Sequence, residues 1–239
     1  MSVFRNLLMA NAAGGLVTDG LHFHLDALNN TGHGIVDTTA TEWVDLIGGN
    51  NIPIDLTKIA WQDKMALQIE NDFYTAKTPN SIFSTSGAMT MEVIAKKSEK
   101  VMQSTSVWIA NLRSTSAVYG GEIQVIKRTQ SDGGQLNGTL FLNGSEYLTG
   151  RTEADRGYFA ATISDDFTYT TYLNGVKTES RTGTKGRVVN TPVKLFSAGW
   201  YSGFSFAGTG IFAVRIYDRA LSESEIAQNY RYDKKRYGV

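Results

Sequence analysis

The sequence predicts an all-β protein, an antiparallel sandwich of two sheets with one short helix at the C-terminal end. Three observations lead there. Short runs of alternating apolar and polar residues recur along the chain, separated by turn residues. Two runs end in Asn-Gly, at Asn143-Gly144 and Asn174-Gly175, the dipeptide that fits a two-residue hairpin turn. Strong helical signals are confined to the last thirty residues, and many short strands with one late helix make a sandwich.

The elements follow in order. Residues 21–26 alternate and open the set. A short helical pattern is expected over residues 80–84. Residues 89–95 place Met91, Val93 and Ala95 on one face of a strand. Further strands are expected at 107–110, 122–126, 138–142, 158–163, 168–173 and 193–197. The closing strand spans 211–217, where Phe212, Val214 and Ile216 alternate with Ala213, Arg215 and Tyr217. Ser222 then caps a helix, and Glu225 completes a capping box. Leu221 and Ile226 flank that cap as a hydrophobic staple.

Composition narrows the function classes. The chain has 239 residues, 41% hydrophobic and 19% charged, which suits a folded domain with a sizeable core. Its 23 basic and 23 acidic residues balance, so charge gives no case for nucleic acid or an anionic membrane as partner. Cysteine is absent, which excludes disulfides, thiol catalysis and thiolate metal sites. The apolar run at residues 7–10 is too short for a signal peptide, so synthesis and folding in a cytoplasm are expected. No stretch has the length of a bilayer-spanning helix. Residues 1–18 read as an N-terminal arm and 19–239 as one domain, with Ala12, Ala13, Gly14 and Gly15 as the hinge. Phe4, Leu7, Leu8 and Met9 make the arm apolar enough to attach to another protein or to cover an edge of its own domain.

Two side-chain groups carry candidate chemistry. His22, His24 and Asp26 sit at two-residue spacing, which puts all three on one face of a strand, where they form a metal ligand set or a polar outer face. A sugar site needs aromatic faces for the C–H side of a pyranose and planar polar groups for its hydroxyls. Trp200 and Tyr201, bracketed by Gly199 and Gly203, are the expected platform. Trp61 and Tyr74 are further aromatic candidates, and Asn29 and Asn30 the polar ones. The basic end, Arg231 to Arg236, reads as a solvated helix terminus with cations that favour its dipole.

Several words in the sequence resemble the concanavalin A-like (laminin G-like) jelly-roll family. They are the opening Asp19-Gly20-Leu21-His22-Phe23-His24-Leu25-Asp26-Ala27, the Trp43-Val44-Asp45-Leu46 segment, and Tyr172-Leu173-Asn174-Gly175. The closing Val214-Arg215-Ile216-Tyr217-Asp218-Arg219-Ala220-Leu221-Ser222 completes the order. The resemblance implies a jelly-roll sandwich with Trp43 in its core. The glucanase branch uses a Glu-x-Asp-x-x-Glu strand; here Glu153-Ala154-Asp155 is followed by Arg156, Gly157 and Tyr158, so no glycosidase activity is expected. No cofactor is required, and calcium is the optional one, common in the family. Yet the two acidic positions of the family's closing strand are Phe212 and Ala213 here. The ending Asn229-Tyr230-Arg231-Tyr232-Asp233-Lys234-Lys235-Arg236-Tyr237-Gly238 resembles the termini of bacteriophage virion proteins that carry this domain. That resemblance implies a non-catalytic module on the surface of a virion tail, fibre or head. It would bind host or mucosal glycans, or serve as a structural decoration attached to other virion proteins through the arm. A homo-oligomer stays open.

Overall fold

The computed structural model describes residues 15–70, 75–97, 107–112, 122–127, 136–142, 145–152, 154–183, 187, 189–196 and 207–239. The strands are β1 (Leu21–Asp26), β2 (Glu42–Trp43), β3 (Ile52–Pro53), β4 (Ile59–Gln62), β5 (Met65–Gln68), β6 (Ala76–Lys77), β7 (Met89–Lys96) and β8 (Val107–Leu112). They continue as β9 (Glu122–Lys127), β10 (Leu136–Leu142), β11 (Ser145–Thr152), β12 (Arg156–Ile163), β13 (Thr168–Leu173), β14 (Val176–Thr182), β15 (Lys194–Leu195) and β16 (Gly210–Tyr217). One α-helix, α1 (Glu223–Tyr237), follows.

The larger sheet runs in the order β14-β13-β12-β7-β16-β5-β4, and β1 also pairs with β16. The smaller sheet runs β11-β10-β9-β8-β15-β6, and β2 pairs with β3 apart from both. The ladders are antiparallel. This is the all-β sandwich with a short C-terminal helix that the alternation predicts. The alternating apolar residues do the work: Phe23, Leu25, Met91, Val93, Phe159, Val214 and Ile216 of the larger sheet meet Ile109, Ala110 and Leu195 of the smaller one. Trp43 is fully buried there and meets the edge of Trp61 at 5.2 Å.

Helix α1 lies on the other face of the larger sheet, over Ile94, Tyr158, Ala160, Phe212 and Tyr217. Ser222 caps it and shares a reciprocal box with Glu225. Leu221 and Ile226 are both buried in this second cluster, as the staple requires. Gly238 ends the helix in the left-handed conformation, with its N–H donating to the Lys234 carbonyl. The Asn174-Gly175 turn joins β13 to β14 with both residues at positive φ, 50° and 77°.

Two expectations change. Residues 80–84 form no helix, whereas Ala27–Asn29 is a short 3-10 turn capped by the Asp26 side chain. Gly15, Leu16 and Val17, read as arm, belong to the folded body. Leu16 and Val17 are buried under α1, and Gln228 Nε2 donates to the Gly15 carbonyl at 2.6 Å. The remainder of the arm, with Phe4, Leu7, Leu8 and Met9, lies outside the described residues.

Candidate functional site

The expected metal set is not assembled. The ladder of β1 with β16 shifts register between Leu21 and Phe23, so His22 is an extra residue and leaves the face that carries His24. The His22 ring stacks on Phe83, and its Nε2 lies 2.8 Å from the Ile82 carbonyl. His24 points under α1 instead. Neither of its ring nitrogens has a hydrogen-bond partner among the described residues. Burial drives its pKa down to about 3; Arg215 and Arg236 push the same way and Asp26 opposes them. Asp26 is already occupied: it accepts from Leu28 N at 2.8 Å, Tyr237 Oη at 2.7 Å and Arg236 Nη2 at 2.6 Å. Burial alone would raise its pKa, but the Arg236 charge and these hydrogen bonds carry it below the ordinary range. Among the described residues no three His, Asp or Glu side chains are grouped to hold a metal ion.

The expected sugar residues divide. Trp61 is 4% exposed, packs on Trp43 and donates its Nε1 to the Ala40 carbonyl at 2.8 Å, so its ring is core and offers no face to a ligand. Asn30 is fully buried and bonds both backbone groups of Asp37, Nδ2 to the carbonyl at 2.7 Å and Oδ1 from the N–H at 2.9 Å. Asn29 accepts from Gly34 N at 2.6 Å. The two asparagines therefore clamp the neck of a loop whose tip exposes Ile35 and Val36. Asp45 organises the next loop in the same manner, accepting from the backbone N–H of His24, Ile47, Gly48 and Asn50. Trp200, Tyr201 and Tyr74 lie outside the described residues. The strands that lead to them are described. Gln68 N donates to the Thr209 carbonyl at 2.9 Å and Gly208 N to the Gln68 carbonyl at 2.8 Å. The segment after β5 and the segment before β16 are therefore tethered side by side, next to the exposed Ile69.

The densest chemistry lies where sequence reasoning did not look. His24, Arg215, Glu92 and Ala160 stand level on β1, β16, β7 and β12, a row across four neighbouring strands. Arg215, Glu92, Asn229 and Asp233 are all fully buried. Arg215 Nε donates to Glu92 Oε2 at 2.7 Å, while its Nη1 and Nη2 grip the two oxygens of Asp233. Glu92 Oε1 also accepts from Tyr158 Oη at 2.5 Å and Asn229 Nδ2 at 2.8 Å. Burial pushes Asp233 up to about 6 against the pull of Arg215. Arg215 goes the other way: burial disfavours its charge, but Asp233 and Glu92 outweigh that and hold it protonated. The two directions agree once charges are counted, because one guanidinium faces two carboxylates. Among the described residues Glu92 has three donors and Asp233 only the guanidinium, so Asp233 takes the proton. A faint signal was present in the sequence. Arg215 falls between Ala213 and Tyr217 on the strand face away from the main core, and Asn229 and Asp233 are one helical turn apart.

Such a group of titratable residues is often a reaction centre. Here the four side chains are fully buried and tie α1 to the sheet, so the cluster is a seat for the helix.

No family model matches the chain, and no curated protein matches it in sequence. Solved structures do match. Trypanosoma rangeli sialidase superposes with a TM-score of 0.67 at 12% identity, over 95% of this chain and 37% of the sialidase. The same enzyme in complex with sialic acid gives 0.63 at 11% identity, over 95% and 38%. The binding domain of botulinum neurotoxin serotype D gives 0.59 at 13% identity, over 94% of this chain and 52% of that one. What they share with this chain is the fold. The chain spans well under two thirds of the length of each.

Proposed function

We propose that the protein is a non-catalytic glycan-binding module on a bacteriophage virion. The observation that carries the reading is the sandwich of two antiparallel sheets, a fold that this chain shares with solved glycan-related proteins. Aromatic faces suit the stacking of a sugar ring, and Trp200, Tyr201 and Tyr74 are the ones the sequence offers. The sandwich is shared with an enzyme solved with sialic acid and with a toxin binding domain, which supports glycans as the ligand class. Two acids are already engaged, which favours binding over hydrolysis: Asp233 is fully buried under α1, and exposed Asp155 is ion-paired with Lys97 at 3.7 Å. The virion context rests on the C-terminal resemblance.

The test is a glycan array that includes sialylated and mucin-type glycans, run with and without calcium on the full chain. A specific ligand is expected, with about tenfold weaker binding, roughly 1.4 kcal/mol, for Trp200→Ala or Tyr201→Ala. The absence of any ligand refutes the reading; unchanged binding by both variants refutes the site.

A second reading, a structural virion protein attached by its arm, has its own observation. The stem Gly15–Val17 is fixed under α1, which gives the preceding residues a rigid point of departure. Deleting residues 1–14 should then abolish incorporation into particles and leave the domain folded.

A further inference from the structure

The buried cluster does more than hold α1, because the N-terminal stem hangs on the same groups. Val17 N donates to Asn229 Oδ1 at 2.8 Å, and Tyr217 Oη donates to the Val17 carbonyl at 3.1 Å. Asn229 Nδ2 reaches both Glu92 Oε1, at 2.8 Å, and Tyr217 Oη, at 2.9 Å. One side chain therefore joins the stem, the helix and the charge cluster. Gln228 and the Gly15 carbonyl add a second tie from the same helix.

We infer that the N-terminal stem and helix α1 are seated as one unit on a charge cluster that is one positive charge short, so the seat tightens in mild acid and loosens as pH rises. Arg215 is flanked by Glu92 on β7 and Asp233 on α1, both fully buried. Beside them, Arg236 on α1 is matched by Asp26 on β1. His24 on β1 is held neutral by burial, and Tyr158, Tyr217, Tyr232 and Tyr237 are raised by burial and remain neutral. The nearby cations sit at the rim: Arg156 Nη1 donates to the Tyr237 carbonyl and Lys64 Nζ to the Arg236 carbonyl. Neither bonds the excess carboxylate.

The direction follows from linkage. Asp233 titrates at about 6 when folded, against 3.8 for the unperturbed group. A raised carboxyl binds its proton more tightly in the seated state. Its contribution is therefore complete below the unperturbed value and lost as pH climbs through about 6. Between pH 5 and 7.5 the seated-to-open ratio should change about tenfold.

Hydrogen exchange at the Val17 amide reads that ratio directly in the full chain, once intrinsic rates are corrected for pH. The protection factor should rise about tenfold from pH 7.5 to 5.0. Asp233→Asn removes the excess charge, and its Val17 protection should be the same at both pH values. Glu92→Gln leaves one carboxylate per guanidinium and should also flatten the profile. A flat profile in the unmodified protein overturns the inference, as does an Asp233→Asn profile with the original slope.

Discussion

Replacing Arg215 by Met tests whether the seat beneath α1 is ionic in its energetics. Met fills much of the space of the arginine stem but leaves Glu92 and Asp233 as buried carboxylates with no cation. Glu92 would keep Tyr158 and Asn229 as donors; Asp233 would lose both of its bonds to the guanidinium. Breaking a buried pair by removing one partner costs about 3–5 kcal/mol, because the charge left behind is unpaired and cannot reach water. That is a large share of the roughly 5–15 kcal/mol that holds an ordinary domain together. The loss should also depend on pH in a defined sense. Burial without the cation raises both carboxyls, so the folded state gains protons that the unfolded state lacks. The deficit of the variant should be greatest near pH 8 and shrink toward pH 5. Urea unfolding at several pH values, followed by tyrosine and tryptophan fluorescence, measures it. A deficit under about 1 kcal/mol, or one that stays constant from pH 8 to 5, refutes the argument, since neither fits a desolvated charge left alone.

Three further predictions concern local devices. Ser222→Ala removes the helix cap and should cost about 1 kcal/mol in the same assay. The capping partner Glu225 adds a pH signature: its hydrogen bond to Arg219, chiefly, holds its carboxyl at about 2 despite partial burial. Its stabilisation is therefore present above the ordinary 4.5 and lost as pH falls through about 2, so Glu225→Gln should blunt acid unfolding in that range. Asn30→Ala opens the neck of the loop that carries Ile35 and Val36, with a loss of roughly 1–2 kcal/mol. Thermolysin, which cuts ahead of large apolar residues, should then cleave at residues 34–36 much faster than in the parent chain. Equal cleavage rates would show that other contacts hold the loop.

Much of the fold could be read from local pattern. Alternation placed β1, β7, β12, β13 and β16 because each has one face in the main core. The α1 cap was legible because Ser222, Glu225, Leu221 and Ile226 act within one turn of each other. Strand β14 was missed because its sequence, Val-Lys-Thr-Glu-Ser-Arg-Thr, is exposed and carries no alternating apolar signal. The site was less legible. A bulge of one residue at His22 parts the two histidines, and no spacing rule reveals a bulge. Trp61 and Asn30 have the chemistry of sugar contacts, yet their partners Ala40 and Asp37 become neighbours only when the loop folds back. The Arg215 cluster joins residues 92, 215 and 233, a coincidence that the strand order creates and the sequence alone does not state.

Strand β14 has one more consequence. It is the outermost strand of the larger sheet, and Lys177, Glu179 and Arg181 alternate in sign along it. Glu179 is bonded to Arg181, and Lys177 reaches Glu223 on α1 at 3.0 Å. A charged margin is poor at recruiting a foreign strand, whose arrival would strip water from each of those groups. At this margin the larger sheet therefore resists extension by a strand from outside.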